Sequence, residues 1–423
     1  NSLTHHIVGG RYGYPYEFLD KPQQVLPILS GQLGGSGTQG ICYNEDGLPE
    51  SYRGNLFFCD WGLQRIDRFE IKKAGGTYSL VRRTPFLTKG DVKDFRPFSI
   101  AVDADRSSLL VVDWAYDSWL AAGPKTGRLY RLKYKGADRP SPCERPALDT
   151  LEGEIQALDH PALSIRLDAQ HRLIARGASA LPALKGLLAG NGSEVGRSHA
   201  VWGLDGIGTD DAKNEIRARL ADSSAAIRKQ AARSVGIRGD REGRDGLIRL
   251  LDDRDAAVRR EAAIALGKLG DTGIAPALMA HLGDSDRFTA FSIRESIRRL
   301  GAWDRALLVD AFRDDRRRPA ALLLTEDSWA IPVVEALSDA YEMMESPEVR
   351  ARVISNLAGL YRQYPEWSGN WFGTNPLGGQ FPRKTRDWNP EGMAKVLQGL
   401  GKGLSDRDAQ VRLQAIVGLG PVG

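Results

Sequence analysis

Arg166, Arg197, Arg228 and Arg259 stand at one point of four similar segments, IRLDAQHRL, GRSHAVWGL, IRKQAARSVG and VRREAAIALG. Each follows the last by 31 residues (197 − 166, 228 − 197, 259 − 228). Four residues before three of them lie Ser193, Ser224 and Asp255, and Asp286 continues that series at the same interval. Ser and Asp are good helix N-caps, because the side-chain oxygen accepts from an otherwise unpaired backbone N–H. Between the arginine segments run second apolar stripes, ALPALKGLLAG, GRDGLIRLLDD and IAPALMAHLGD. Each unit therefore reads as two short amphipathic helices, neither able to bury its apolar face alone. Stacking such units is the way to bury both, and the chain from about residue 154 reads as an α-solenoid. The lattice returns at Arg350 and Arg412, two periods apart (412 − 350 = 62). An arginine fixed in a repeat is expected to bond the neighbouring repeat's cap or helix-end carbonyls, the alternative being a row of arginines that binds a ligand.

Ahead of the lattice the period changes to that of strands. GICYN, GNLFFCDW and RIDRFEI are followed by FSIAV, SLLVVDW and GRLYRLKY, short runs rich in β-branched and aromatic residues and broken by Gly, Pro and Asp. Two of these runs end on Asp-Trp, at Asp60 and Asp113, 53 residues apart (113 − 60). Strand clusters at a spacing of about 50 residues suggest repeated blades, as in a β-propeller. The fold class is thus multidomain β plus α: a partial β-propeller over 1–136, a proline-rich linker over 137–153, and a solenoid over 154–423. An aromatic insertion, YPEWSGNWFGTNPLGGQFPRKTRDW, interrupts the solenoid at about 364–390. A propeller normally closes with four to eight blades, and a solenoid normally ends on a polar cap. The chain is expected to be an internal piece of a longer protein.

The composition, 42% apolar and 26% charged, is that of a globular chain. No run of eighteen apolar residues is present to cross a bilayer. The net charge of +4, set against 58 basic and 54 acidic groups, gives no reason to expect nucleic acid. Cys42, Cys59 and Cys143 form no C-x-x-C and no paired framework. His5 and His6 are adjacent, and His160, His171, His199 and His281 are scattered, so no metal is assigned. SGQLGGSGTQG lacks the Gly-Lys-Ser/Thr of a phosphate loop, and RDDRRRP (313–319) reads as a solvated helix end.

The helical unit is shorter than an ordinary HEAT repeat and resembles the HEAT-like repeats typified by phycobilin-lyase proteins. GGRYGYPYEF (9–18) resembles the G-G-x-Y-G-W-P segment of soluble quinoprotein glucose dehydrogenases and the glucose/sorbosone dehydrogenase family, and the later order GNLFF, FRPFSIAVDAD, GRLYRLKY is similar too. The same segments joined to helical repeats resemble the large membrane-bound dehydrogenases of planctomycetes and verrucomicrobia, and the tryptophan-rich insertion fits that second group. The resemblance implies a bacterial, periplasmic or cell-surface oxidoreductase acting on a sugar or other alcohol. It also implies pyrroloquinoline quinone and calcium in the full-length protein, with electrons passed to a haem module outside this chain. It assigns Arg96, in DFRPFSIAVD, to the cofactor's carboxylates, a role that suits a bidentate guanidinium. The family's second arginine corresponds to Asp94 and its cofactor-binding lysine falls near Leu63, while its base histidine and calcium ligands fall upstream of Asn1. This chain alone is therefore expected to be inactive.

Several residues keep two readings. Arg96 either meets a cofactor or pairs with Asp94 or Asp113. Asp60 and Asp113 either line the channel end or cap turns. Tyr12, alternating with Tyr14 and Tyr16 as on one strand face, either packs or stacks on substrate. Trp367, Trp371, Phe372, Phe381 and Trp388, with Arg383, Lys384 and Arg386, have the composition of an interface hot spot or of a satellite core under a long loop. At the level of the whole chain the alternative to an enzyme is a non-catalytic scaffold that binds carbohydrate through its strands and protein through its solenoid.

Overall fold

The apolar run that ends on Asp60 is a strand, second in a four-stranded antiparallel sheet. That sheet runs in chain order through β3 (Gly37–Cys42), β4 (Leu56–Asp60), β5 (Arg65–Ala74) and β6 (Thr77–Thr88). A three-stranded meander follows, made of β7 (Pro97–Val102), β8 (Ser108–Asp113) and β9 (Arg128–Lys133). Two short strands, β1 (Leu3–Thr4) and β2 (Ile28–Ser30), form a separate pair. The computed structural model describes residues 2–13, 22–31, 33–34, 37–116, 126–190, 192–364 and 385–420. Among them no closed barrel or propeller is formed; the N-terminal region is sheet-rich, in open meanders.

Alternation explains the core of this region. Phe57 and Cys59 of β4, Ile66 of β5, Ile100 of β7 and Leu109 and Val111 of β8 point to one side, where they bury against Tyr43 and Leu48. Phe57 meets Tyr43 and Phe86 edge-on, with ring centroids 6.4 and 4.7 Å apart.

Two units of the chain are compact, Asn1–Ala265 and Leu266–Gly423. The first holds the sheets together with α1 (Leu151–Ala157), α2 (Leu163–Arg176), α3 (Leu181–Ala189), α4 (Glu194–Ile207), α5 (Asp210–Ala218), α6 (Ala225–Arg238) and α7 (Arg244–Arg249). The division falls within α8 (Ala256–Leu269). The second unit continues with α9 (Ala275–Ala280), α10 (Arg287–Leu300), α11 (Arg305–Arg313), α12 (Arg318–Thr325), α13 (Ile331–Met343), α14 (Pro347–Gly359), α15 (Pro390–Leu404) and α16 (Ala409–Leu419).

The lattice residues open helices where the spacing places them. Ser193, Ser224 and Asp286 are the N-caps of α4, α6 and α10, each accepting from the backbone N–H three residues on. Asp255 Oδ1 accepts from the N–H of Ala257 and Val258 at the start of α8. At the other end, α2, α4, α6, α8 and α10 stop before Gly177, Gly208, Gly239, Gly270 and Gly301, all at positive φ. A left-handed residue after the last turn ends a helix cleanly, and glycine takes that conformation without steric cost.

Within the first unit the sheets are fastened to the first helix of the array. Ala162, at the N-cap of α2, has no side-chain acceptor. Glu45, from the loop after β3, supplies it, accepting from Ser164 N at 2.9 Å and from Ser164 Oγ at 2.8 Å. Leu163 N donates to Asn44 O at 2.8 Å. Next to Glu45, Asp46 pairs with Arg106 at 2.9 Å and accepts from Cys143 N at 2.8 Å, which ties the proline-rich linker to the same loop.

Candidate functional site

Both Asp-Trp pairs converge on Arg96. Asp60, 1% exposed, accepts from Gly34 N at 2.7 Å and from Leu63 N at 2.9 Å. Asp113, fully buried, accepts from Arg96 N at 2.7 Å and Ala115 N at 2.9 Å on one oxygen, and from Arg128 Nη1 at 3.0 Å on the other. Trp114 N donates to Arg96 O at 2.8 Å, so the second pair holds the Arg96 backbone on both sides. The first pair receives its side chain. The guanidinium lies 4.3 Å over the Trp61 ring and donates from Nη1 to Trp61 O at 3.0 Å. The Gln64 amide oxygen, in the orientation that satisfies both groups, accepts from Nη1 at 3.0 Å and Nη2 at 3.1 Å.

The Arg96 guanidinium thus packs on Trp61, while Asp113 takes the Arg96 backbone and draws its ion pair from Arg128. The repeat of Asp-Trp gives two turns of like chemistry, one gripping a side chain and the other its main chain. Trp114, half-exposed, stacks at a tilt on Phe98 with centroids 5.7 Å apart. Tyr12 does not lie on a strand; it sits in the loop after β1, where its hydroxyl donates to His5 O and accepts from Ile7 N, both at 2.8 Å. Its ring packs on His6, with centroids 4.3 Å apart. Tyr14 and Tyr16 lie outside the described residues.

The arginine lattice forms a repeated clamp. Arg166, Arg228, Arg259, Arg350 and Arg412 each donate from Nη1 to the carbonyls six and five residues earlier, in the loop that leads into their own helix. Of the two expected partners, a neighbouring repeat's cap or its helix-end carbonyls, these Nη1 bonds go instead to carbonyls of the arginine's own loop, while Arg197, Arg228 and Arg350 do reach the next cap. The link to the next repeat runs through a carboxylate instead. Arg228 grips Asp253 at 2.6 and 2.8 Å, Arg350 grips Asp406 at 2.8 and 3.0 Å, and Arg197 reaches Asp222 at 2.6 Å. The same aspartates accept backbone N–H groups at the next cap, Asp222 from Ser224, Asp253 from Asp255 and Asp406 from Asp408. The Arg350 contact holds the Asp406 carboxyl well below the usual range.

At the first helix of the array the carboxylate is replaced by an imidazole. Arg166 Nε donates to His199 Nε2 at 3.1 Å, and His199 Nδ1 meets Gln170 Oε1 at 2.7 Å. Burial, and then the Arg166 charge, push the His199 pKa down to about 4.

In the second unit, the foot of the aromatic insertion is visible. Gln363 and Arg386 form an antiparallel bridge, and half-buried Trp388 donates from Nε1 to Leu360 O at 2.9 Å. Trp388 is therefore anchored. Trp367, Trp371, Phe372 and Arg383 lie outside the described residues. On α16, Leu413, Ile416 and Val417 are 57–60% exposed.

Among the described residues no group of three or more His, Cys, Asp or Glu side chains is placed to hold a metal ion. None of the described helices is long and apolar enough to cross a membrane. Arg96, the residue that the resemblance assigns to a quinone's carboxylates, has its Nη atoms engaged by Trp61 and Gln64.

HEAT repeats are matched over residues 181–253, 214–298 and 244–326. No curated protein matches the chain. Among solved structures, human deoxyhypusine hydroxylase in complex with glycerol is 16% identical over 64% of this chain and 95% of its own, with a TM-score of 0.26. The complex of CpcE and CpcF of phycocyanin lyase from Nostoc sp. PCC7120 is 19% identical over 57% of this chain and 93% of its own, with a TM-score of 0.30. Escherichia coli YibA is 17% identical over 63% and 91%, with a TM-score of 0.35.

Proposed function

We propose that this chain is an interaction scaffold whose helical repeats present a surface to a protein partner. The outward aliphatic row of α16 supports the reading. Leu413, Ile416 and Val417 are largely exposed on a helix whose lattice arginine, Arg412, is already spent on the carbonyls of Asp406 and Arg407. The clamp uses polar groups within the repeat, so the outward positions of α16 take no part in it. Contiguous exposed aliphatics on such a helix suit a partner with an apolar face. The compartment we propose, the periplasm or the cell surface, rests on the resemblance to bacterial dehydrogenases rather than on the helical repeats. The test is binding by the intact chain with Leu413→Glu and Val417→Glu introduced together. The expected result is loss of the captured partner with an unchanged melting temperature; retention of the partner by the double variant rejects the surface.

A second reading, oxidation of a sugar or other alcohol by a longer quinoprotein, has Arg96 behind it. The Arg96 Nε is buried without a hydrogen-bond partner, a donor that a cofactor carboxylate would meet. In a quinone-binding full-length protein, Arg96→Ala would weaken pyrroloquinoline quinone by roughly ten- to a hundredfold. A purely structural Arg96 gives a lower melting temperature and unchanged affinity.

A further inference from the structure

The longest hairpin ends on a turn of two glycines. Ala74 of β5 pairs with Thr77 of β6, leaving Gly75, at φ +58°, and Gly76 as the tip. Arg260 of α8 donates from Nη1 to Gly76 O. Lys229 of α6 stands one lattice period earlier (260 − 229 = 31), and α6 packs so closely on α8 that a Cβ on Gly236 would lie 2.7 Å from Ala265. The repeat thereby brings two cations side by side beneath the tip. Lys73, exposed on β5, and His5, whose Nδ1 is 2.8 Å from Thr77 Oγ1, border the same place.

These cations have few acids to answer them. Glu261 Oε2 is 3.6 Å from Arg260 Nη2, beyond hydrogen-bond distance, and Asp255 acts on Lys229 from further away. Arg260 is only 8% exposed, and its Nε is buried with no partner. Lys229 makes no hydrogen bond or ion pair among the described residues. Burial, and then the charges of Lys73 and Arg260, lower the Lys229 pKa. Burial and the same cationic surroundings push His5 down to about 4. Like charges partly removed from water and only partly balanced by acids are costly for a fold, and such sites concentrate where a ligand supplies further charge.

We propose that the hairpin tip, α6 and α8 form a binding niche for a phosphate group, with Arg260 offering its Nε–Nη2 edge and Lys229 and Lys73 closing on the charge. That edge is the guanidinium face that matches two oxygens of one oxyanion. The glycine tip can shift to admit the group, since it carries no side chain over the niche. The group is either inorganic phosphate or a phosphorylated side chain, and the chemistry is the same.

The test uses the full chain and its melting temperature in about 10 mM inorganic phosphate or O-phosphoserine, against sodium chloride at equal ionic strength. A rise of several degrees specific to either phosphate compound is expected, and the compound that gives it identifies the source. Lys229→Gln should melt higher than wild type without phosphate, because a half-buried charge beside Lys73 and Arg260 is gone, and should lose the phosphate response. Arg260→Lys, which keeps charge but not the fork, should weaken the response about tenfold. A response reproduced by sodium chloride, one retained in Lys229→Gln, or a Lys229→Gln protein that melts lower than wild type overturns the proposal.

Discussion

Asp113 shows at the residue scale how a strand end becomes a junction. Its two oxygens join the Arg96 and Ala115 main chain to the Arg128 side chain, so removing it strands three donors at once. Asp113→Ala is expected to cost about 3–5 kcal/mol in urea unfolding, the range for breaking a buried charged contact. Asp60→Ala, whose partners are two backbone N–H groups, should cost about 1–3 kcal/mol. Equal costs would mean that Arg128 contributes nothing. His199 sets a pH dependence. Its folded pKa of about 4 lies below the unfolded value of about 6.5, so between those values the unfolded chain binds the extra proton. Stability is full above about pH 7 and falls as the pH drops from about 6.5 through 4, by up to roughly 3 kcal/mol from this group. His199→Gln, which keeps an acceptor for Arg166, should flatten that decline in a pH series of melting curves. His5 shifts in the same direction, so a smaller decline persists in the variant.

At the scale of elements, the helices of the array were legible because each boundary is set by neighbours close in the chain. A Ser or Asp four residues ahead of an arginine is a local signal that gives the caps of α4, α6 and α8, and the 31-residue interval alone carries it on to Asp286 at α10. The glycines at 177, 208, 239, 270 and 301 carry the same 31-residue period and give the C-terminal ends, a signal as local as the caps. Ser224→Ala should cost about 1 kcal/mol. Gly239→Ala should cost about 1–2 kcal/mol, because Gly239 sits at φ +61°. Thermal unfolding of the two single variants and the double checks both, and their effects should add, since the residues cap opposite ends of α6. The Glu45 cap on α2 could not be read in advance. It lies 119 residues from Ser164, and nothing near Ala162 announces a missing acceptor supplied from a sheet loop. The convergence of the two Asp-Trp pairs on Arg96 was hidden for the same reason: the repeat was visible, but not the strand pairing that brings both pairs to one residue.

For the molecule as a whole, the first unit depends on a few long-range polar contacts between its sheets and its helices. Glu45→Ala removes the acceptor at the start of α2 and should cost about 1–2 kcal/mol. Hydrogen exchange should quicken in the first turn of α2 and in the loop after β3, while the strand core around Phe57 stays protected; a uniform change across the unit would contradict a local fastening. The span of each contact also sets when it forms. The Arg228–Asp253 clamp closes a loop of 25 residues, whereas Arg260 reaches Gly76 across 184. Chain-closure entropy grows by about 0.6 kcal/mol for each doubling of loop length, so the longer closure carries roughly 2 kcal/mol more before any contact rewards it. The repeats can therefore zip from neighbour to neighbour on a fast timescale, and the hairpin tip arrives only after its helical seat is already built.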